Sequence, residues 1–289
     1  MRRALRSPKI VVGLVIVGFF VLMAIFGPLL VHADPSAVSN DSLQPPSGSH
    51  WLGTTQTGQD IFTEIVYGAR NSMLVGVAAG ALSTVLSILV GIPAGYLGRG
   101  WDDSLSVVSN VFLVIPTLPL AVIMASYLPR SGSLGIIIVI ALTGWAWGAR
   151  VLRAQTLSLR KRDFVEAARA SGQGSFRIIL NEIMPNQVAI IASAFLGSVV
   201  SAILTQAGLA FLGLTDVTQW SWGGILYWAQ VSNALLGGAW WWFVPAGLCI
   251  ALLGTALALV NFGIDEIVNP RLRGAGLTTV RTADGRKTR

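Results

Sequence analysis

The chain has 289 residues, 53% of them hydrophobic and only 11% charged, with a mean hydropathy of +0.68. Soluble domains carry about 25% Asp, Glu, Lys and Arg, so this sequence lacks the charge to cover a water-soluble globule, and disorder needs the opposite bias. An integral membrane protein is the class that remains. The net charge of +7 is a poor nucleic-acid footprint, because the basic residues are mostly scattered arginines with three lysines, Lys9, Lys161 and Lys287.

About 20 apolar residues are needed for a helix to cross roughly 30 Å of hydrocarbon. Six stretches meet or approach that length: 10–31, 73–97, 105–128, 134–152, 188–214 and 240–264. The apolar part of each, the fourth counted to Ala149, lacks ionisable residues; Arg150 is expected to reach the interface. The first exceeds the core of about 7–15 residues in a secretory signal, so a retained anchor is expected, with a cleaved signal as the alternative. The intervening segments are a cytoplasmic start 1–9, an outer loop 32–72, a cytoplasmic loop 153–187, an outer hairpin 215–239 and a basic tail 265–289.

Basic residues orient these spans. With the N-terminus inside, Arg2, Arg3, Arg6, Lys9, Arg99, Arg150, Arg153, Arg160, Lys161, Arg162, Arg169, Arg177 and the tail residues Arg271, Arg273, Arg281, Arg286, Lys287 and Arg289 are cytoplasmic; only Arg70 and Arg130 fall outside. The positive-inside rule then places both termini in the cytoplasm.

Glycines four apart, Gly76 and Gly80, Gly91 and Gly95, Gly144 and Gly148, suit close helix packing in lipid. Pro93 is expected to interrupt the second span, and Pro116 and Pro119 the third; such breaks either line a pathway or are structural kinks.

No span offers the carboxylate, histidine or lysine that ion-coupled carriers use at membrane depth. His32 and His50 lie apart outside the spans, and Cys249 sits in an apolar run, so no disulfide framework, zinc site or haem site is expected. A His-Glu-x-x-His pattern is absent, and no Gly-Lys pair exists to end a phosphate loop. If the chain drives transport, another subunit burns the fuel. A membrane enzyme would need an ordered acid, base or nucleophile, and Asp102–Asp103, the adjacent acidic pair in a cytoplasmic turn, has no His or Lys beside it. A self-sufficient channel is a further alternative.

The loop from Arg160 to Met184 is where a partner could dock. Asp163 and Glu166 are spaced as a capping box for a short helix that Gly172 stops. Its expected outer face is Ala167, Ala168 and Ser171 beside Phe164 and Val165. Ser175 then starts a second short helix, Phe176 to Met184, that Pro185 is expected to close. Such an elbow suits a groove on another protein, and equally an amphipathic loop lying on lipid headgroups.

Glu166-Ala167-Ala168, Gly172 and Ile183-Met184-Pro185-Asn186 resemble the EAA motif of ABC-importer permeases. Further stretches resemble the dipeptide/oligopeptide/nickel branch: His50-Trp51-Leu52-Gly53-Thr54 with Gly58 and Asp60, Tyr67 to Ser72, Ala94-Gly95-Tyr96 with Gly98 and Asp102, Ala207-Gly208-Leu209 with Phe211 to Leu214, Ser221-Trp222-Gly223, and Asn269 to Arg273. The likeness runs from Leu43 to Arg273, and the short first outer loop resembles the second of the two permeases such importers pair. Thr55, Gln59, Thr63, Glu64, Gln206 and Asn269 depart from the pattern.

The resemblance implies an all-α polytopic membrane protein with the type I ABC-importer permease fold, six transmembrane helices and a place in the bacterial cytoplasmic membrane. It implies a non-catalytic subunit that forms half of a pathway for di- or oligopeptides, with nickel, haem or another small solute as alternatives. Implied partners are a homologous second permease, two ATP-binding subunits that hold ATP and Mg, an extracytoplasmic solute-binding protein and membrane lipid. This chain itself would carry no cofactor and no metal. Phe164, Glu166, Ala167, Ala168, Gly172 and Pro185 would then form the ATPase-coupling surface. The tryptophans of 215–242 suit an interfacial aromatic belt, while Trp220, Trp222 and Trp228 are candidates for contact with cargo or its binding protein.

Overall fold

The computed structural model describes residues 8–127, 132–216 and 218–268. The basic residues Arg2, Arg3, Arg6 and Arg130, Leu128, and the tail from Asn269 lie outside the described residues. The described chain forms helices α1 (Pro8–Leu30), α2 (Ile61–Leu97), α3 (Arg99–Val114), α4 (Thr117–Ser126), α5 (Gly132–Leu159), α6 (Asp163–Ala170) and α7 (Ser175–Ile178). A π-helical turn, Ile179–Ile183, leads into α8 (Met184–Phe211), followed by α9 (Trp222–Val231) and α10 (Trp240–Val268). Five helical runs are long and apolar enough to cross a membrane, and the pair α3–α4 makes a sixth only as a span bent by 88°.

Helix boundaries differ from the apolar runs where capping and proline geometry decide. The second helix starts at Ile61 rather than Met73, because the Asp60 carboxylate accepts from the Thr63 backbone N–H (2.9 Å) and hydroxyl (2.7 Å). The expected outer loop 32–72 therefore shortens, and Glu64 and Arg70 fall within a helix. That helix, about 55 Å long at 1.5 Å per residue, exceeds the hydrocarbon thickness, so its first turns can stand beyond it.

Pro93 does not interrupt α2, which continues to Leu97. The third span does break, at Ile115-Pro116, where Ile115 takes the extended backbone (ψ 126°) that a following proline demands. Pro119 stays inside the first turn of α4, where its missing N–H costs nothing. At the end of α8, Gly213 (φ +72°) and the bonds Gly213 N–H to Ala210 and Leu214 N–H to Leu209 stop the helix at Phe211, short of the expected Leu214.

α2 is the central post, and its glycines set its neighbours. A Cβ on Gly76 would lie 2.3 Å from Ile203 Cγ1, and one on Gly80 2.8 Å from the Val199 nitrogen, so this half meets α8. Further along, a Cβ on Gly91 would lie 2.3 Å from the Ala149 carbonyl and one on Gly95 2.7 Å from that of Arg153, so the other half meets α5. Across the same seam, Gly148 sits against Ser87, whose hydroxyl donates to the Trp145 carbonyl (2.7 Å). Close backbone approach replaces the burial of apolar area, which drives little in lipid.

α1 runs antiparallel to α10: Ile10 meets Gly263, and Gly13 meets Ala256. The start of α1 and the end of α10 thus lie at the same end of the bundle as α6, and the segment 31–60 and α9 close the other end.

Candidate coupling surface

The elbow is α6, the turn Ser171–Gly174, α7 and the π turn. Arg162, not Asp163, is the N-cap of α6, and no side chain caps it, so the expected capping box does not form. Asp163 and Glu166 instead occupy the first turn, where carboxylates favour the positive end of the helix dipole. The stop at Gly172 is as the sequence indicates. Gly172 (φ +75°) donates to Arg169 and Gln173 to Ala168, which satisfies the last carbonyls in a left-handed cap.

The helix turns Val165 and Ala168 inward, into a buried cluster with Ile92 and Tyr96 of α2, Leu152 of α5, Ile178 and Ile183. Ala168 therefore does not share the outer face with Ala167, as the spacing had implied; it is buried in that cluster instead. Facing outward are Asp163, Glu166, Ala167 and Ala170, with Phe164 (38% exposed) on one flank. On the other flank the Arg169 guanidinium lies over the Tyr96 ring, 5.8 Å from its centroid. Phe176 is 76% exposed on the next turn, and no expectation had singled it out.

Pro185 does not close the second helix. It cannot donate a backbone hydrogen bond, and the π turn before it, with Met184 N–H reaching the Ile179 carbonyl, reaccommodates the chain so that Ser175–Phe211 runs on as one helix into the membrane. Pro185 itself is exposed. The elbow and α8 are thus continuous in helical backbone.

Polar contacts lock the elbow to the bundle. Gln187 of α8 donates to the Thr156 hydroxyl of α5 (2.7 Å), and both side chains are buried. Arg160 donates to the Gly95 (3.4 Å) and Tyr96 (3.3 Å) carbonyls at the end of α2. Arg153 forks onto Asp102 of α3 (2.5 and 2.9 Å). Sequence reading missed all three, because they join positions far apart in the chain.

At the opposite end the three candidate tryptophans separate. Trp222 is fully buried; its ring N–H donates to the Ile65 carbonyl (3.1 Å), its backbone N–H to the Ser72 hydroxyl (3.1 Å), and its ring packs edge-on against Phe20. It pins α9 to α2 and α1 and cannot meet cargo. Trp220 is half-buried and Trp228 exposed. The His50–Asp60 stretch is likewise a structural clasp: His50 Nδ1 lies 3.1 Å from Asp60, and a Cβ on Gly53 would strike the Trp241 ring at 2.6 Å.

A cavity of about 610 Å³ runs along the face shared by α5, α8 and α10, lined by Gly144, Trp147, Gly197, Ser198, Ser201 and Asn261. Small residues and hydroxyls on an otherwise apolar helix leave room and polar contacts at membrane depth.

The described residues form a polytopic helical bundle with a broken span and an external helical elbow. The fold is shared with a chain of the MetNI methionine ABC transporter, at a TM-score of 0.56 and 18% identity over 71% of this chain and 94% of that one. The chain belongs to the family of binding-protein-dependent transport system inner membrane components, whose family model matches residues 87–274; residues 1–46 match the N-terminal transmembrane domain of oligopeptide transport permease C. Among similar proteins, the oligopeptide transport system permease protein OppC of Bacillus subtilis is 34% identical over 93% of this chain and 88% of its own length. The dipeptide transport system permease protein DppC of Alkalihalophilus pseudofirmus is 35% identical over 91% and 86%. This protein is accordingly a multi-pass, non-catalytic permease subunit of the inner membrane.

Proposed function

We propose that the chain forms half of an ATP-driven pathway for di- or oligopeptides, and that its α6 end faces the cytoplasm. The elbow docks in a groove of an ATP-binding subunit, with Ala167 allowing close approach, Phe164 as apolar anchor, Glu166 ordering the helix and Gly172 shaping the turn. The full assembly pairs this chain with a second permease above two ATP-binding subunits, which hold ATP and Mg, and an outer solute-binding protein delivers cargo. Closure of the ATPases on ATP moves the elbows and shifts the bundle between inward- and outward-open states.

The observation that carries this reading is the division of α6 into an inner face, Val165 and Ala168, buried in a cluster with Tyr96, Leu152, Ile178 and Ile183, and an outer face bearing Phe164, Glu166 and Ala167. Asp163 and Glu166 stand on that outer face among the exposed Lys161, Arg162 and Arg169, a mixed-charge surface that suits a protein groove. The peptide cargo is supported by the names of the relatives.

Vesicles holding the complete transporter test it. ATP inside and binding protein outside are expected to drive uptake of labelled di- or oligopeptide. Retention of nickel or haem by the purified complex, with no peptide uptake, would replace the cargo; uptake by this chain alone would refute ATP coupling.

A further inference from the structure

We propose that a pocket between α2, α3 and α5 binds the phosphate of an anionic phospholipid, with Arg150 as its principal ligand. The pocket has a volume of about 250 Å³ and lies at the α6 end, where Ser106, Ser109 and Asn110 of α3 face Arg150 and Arg153 of α5 across a floor at Gly91. Two donors of different status line it. Arg153 is neutralised by its forked pair with Asp102, which also accepts from Ser106 (3.1 Å). Arg150 is exposed and held by the Asn110 side-chain oxygen at 2.7 Å; among the described residues it meets no carboxylate. Asn110 fixes the guanidinium in place without cancelling its charge. The remaining N–H groups of Arg150 are free to fork onto an oxyanion, the geometry in which arginine binds phosphate best.

The surroundings identify which oxyanion. Val107, Val111 and Val114 continue from Asn110 along α3 as an exposed apolar face, 61%, 53% and 82% accessible, and Trp101 stands exposed one turn beyond the pocket towards the helix start. A phosphate in a basic pocket, acyl chains along a valine face and an indole at headgroup depth are the three contacts a phospholipid makes. The role goes beyond the transport reading, since it concerns a lipid bound beside the first half of the bent span rather than cargo.

The test is native mass spectrometry of the purified transporter containing the full-length chain, titrated with phosphatidylglycerol or phosphatidylcholine. Phosphatidylglycerol is expected to be retained in preference, and Arg150→Gln to weaken that retention about fivefold, the effect of one guanidinium at a membrane surface, with Arg150→Lys restoring part of it. Phosphatidylcholine retention should not change with either substitution. If Arg150→Gln does not accumulate, Asn110→Leu, which releases the guanidinium without altering charge, carries the same readout. Unchanged phosphatidylglycerol retention in these variants overturns the proposal. So does millimolar inorganic phosphate binding equally well without lipid, which would assign the pocket to a soluble anion. Loss of uptake confined to peptides with a free C-terminal carboxylate, with lipid retention intact, would assign Arg150 to cargo and also overturn it.

Discussion

Gln187 donates a 2.7 Å hydrogen bond to Thr156, joining the helix that enters the elbow to the helix that leaves it. Both side chains are fully buried, and the Thr156 hydroxyl donates its own hydrogen bond to the Leu152 carbonyl (2.7 Å). Replacing Gln187 with Leu leaves Thr156 without its donor and frees the two helices to slide. Because the Gln187 side-chain oxygen is itself buried without a partner, the expected cost is the net value of one hydrogen bond, about 0.5–1.5 kcal/mol, read as a lower Tm in detergent and faster hydrogen exchange across α6 and α7. An unchanged exchange pattern would show that the clamp does not hold the elbow.

Gly172 occupies left-handed backbone at φ +75°, and no neighbour lies within contact range of an added Cβ there. Strain, not crowding, is therefore the expected effect of Gly172→Ala, about 1–2 kcal/mol. Assembly should survive while ATP hydrolysis loses its response to loaded binding protein. Retained stimulation would separate the cap from coupling.

The tryptophans of the outer end make a paired prediction. Trp222→Ala removes a fully buried ring and its bond to Ile65, so a loss of about 3–5 kcal/mol in stability is expected. Trp228→Ala, at an exposed position, should stay within about 0.5 kcal/mol of wild type. Thermal unfolding of the two variants side by side checks this, and equal effects would deny the burial difference.

Gly91→Leu should be worse than Gly247→Leu. A Cβ at Gly91 already meets the Ala149 carbonyl at 2.3 Å, whereas Gly247 faces open space. Overpacking of the α2–α5 seam is expected to cost at least about 1–3 kcal/mol, measured as loss of folded protein after solubilisation.

Much of this architecture was legible in the sequence because lipid imposes a simple rule: uninterrupted apolar runs, with arginines at one end. The cap at Gly172 and the break at Pro116 were readable for the same local reason. What failed was decided by geometry that composition does not carry. Asp60 nucleates a helix through Glu64 and Arg70, residues that hydropathy reads as loop. Pro185 looked like a stop, yet a π turn reaccommodates the chain around it. Ala167 and Ala168 are adjacent in sequence but point apart on a helix, and only the packing of α6 on Tyr96 and Leu152 decides which one faces out.

That division gives the most direct test. Cys249 is the single cysteine of the chain, so a Cys249→Ser background accepts one new thiol at a time. In the assembled transporter, Ala167→Cys is expected to crosslink to the ATP-binding subunit with a yield that changes on adding ATP, while the buried Ala168→Cys should not react. Crosslinking from neither position, or ATP-independent peptide uptake by a transporter lacking the α6 outer face, would contradict the account of the elbow as the coupling element.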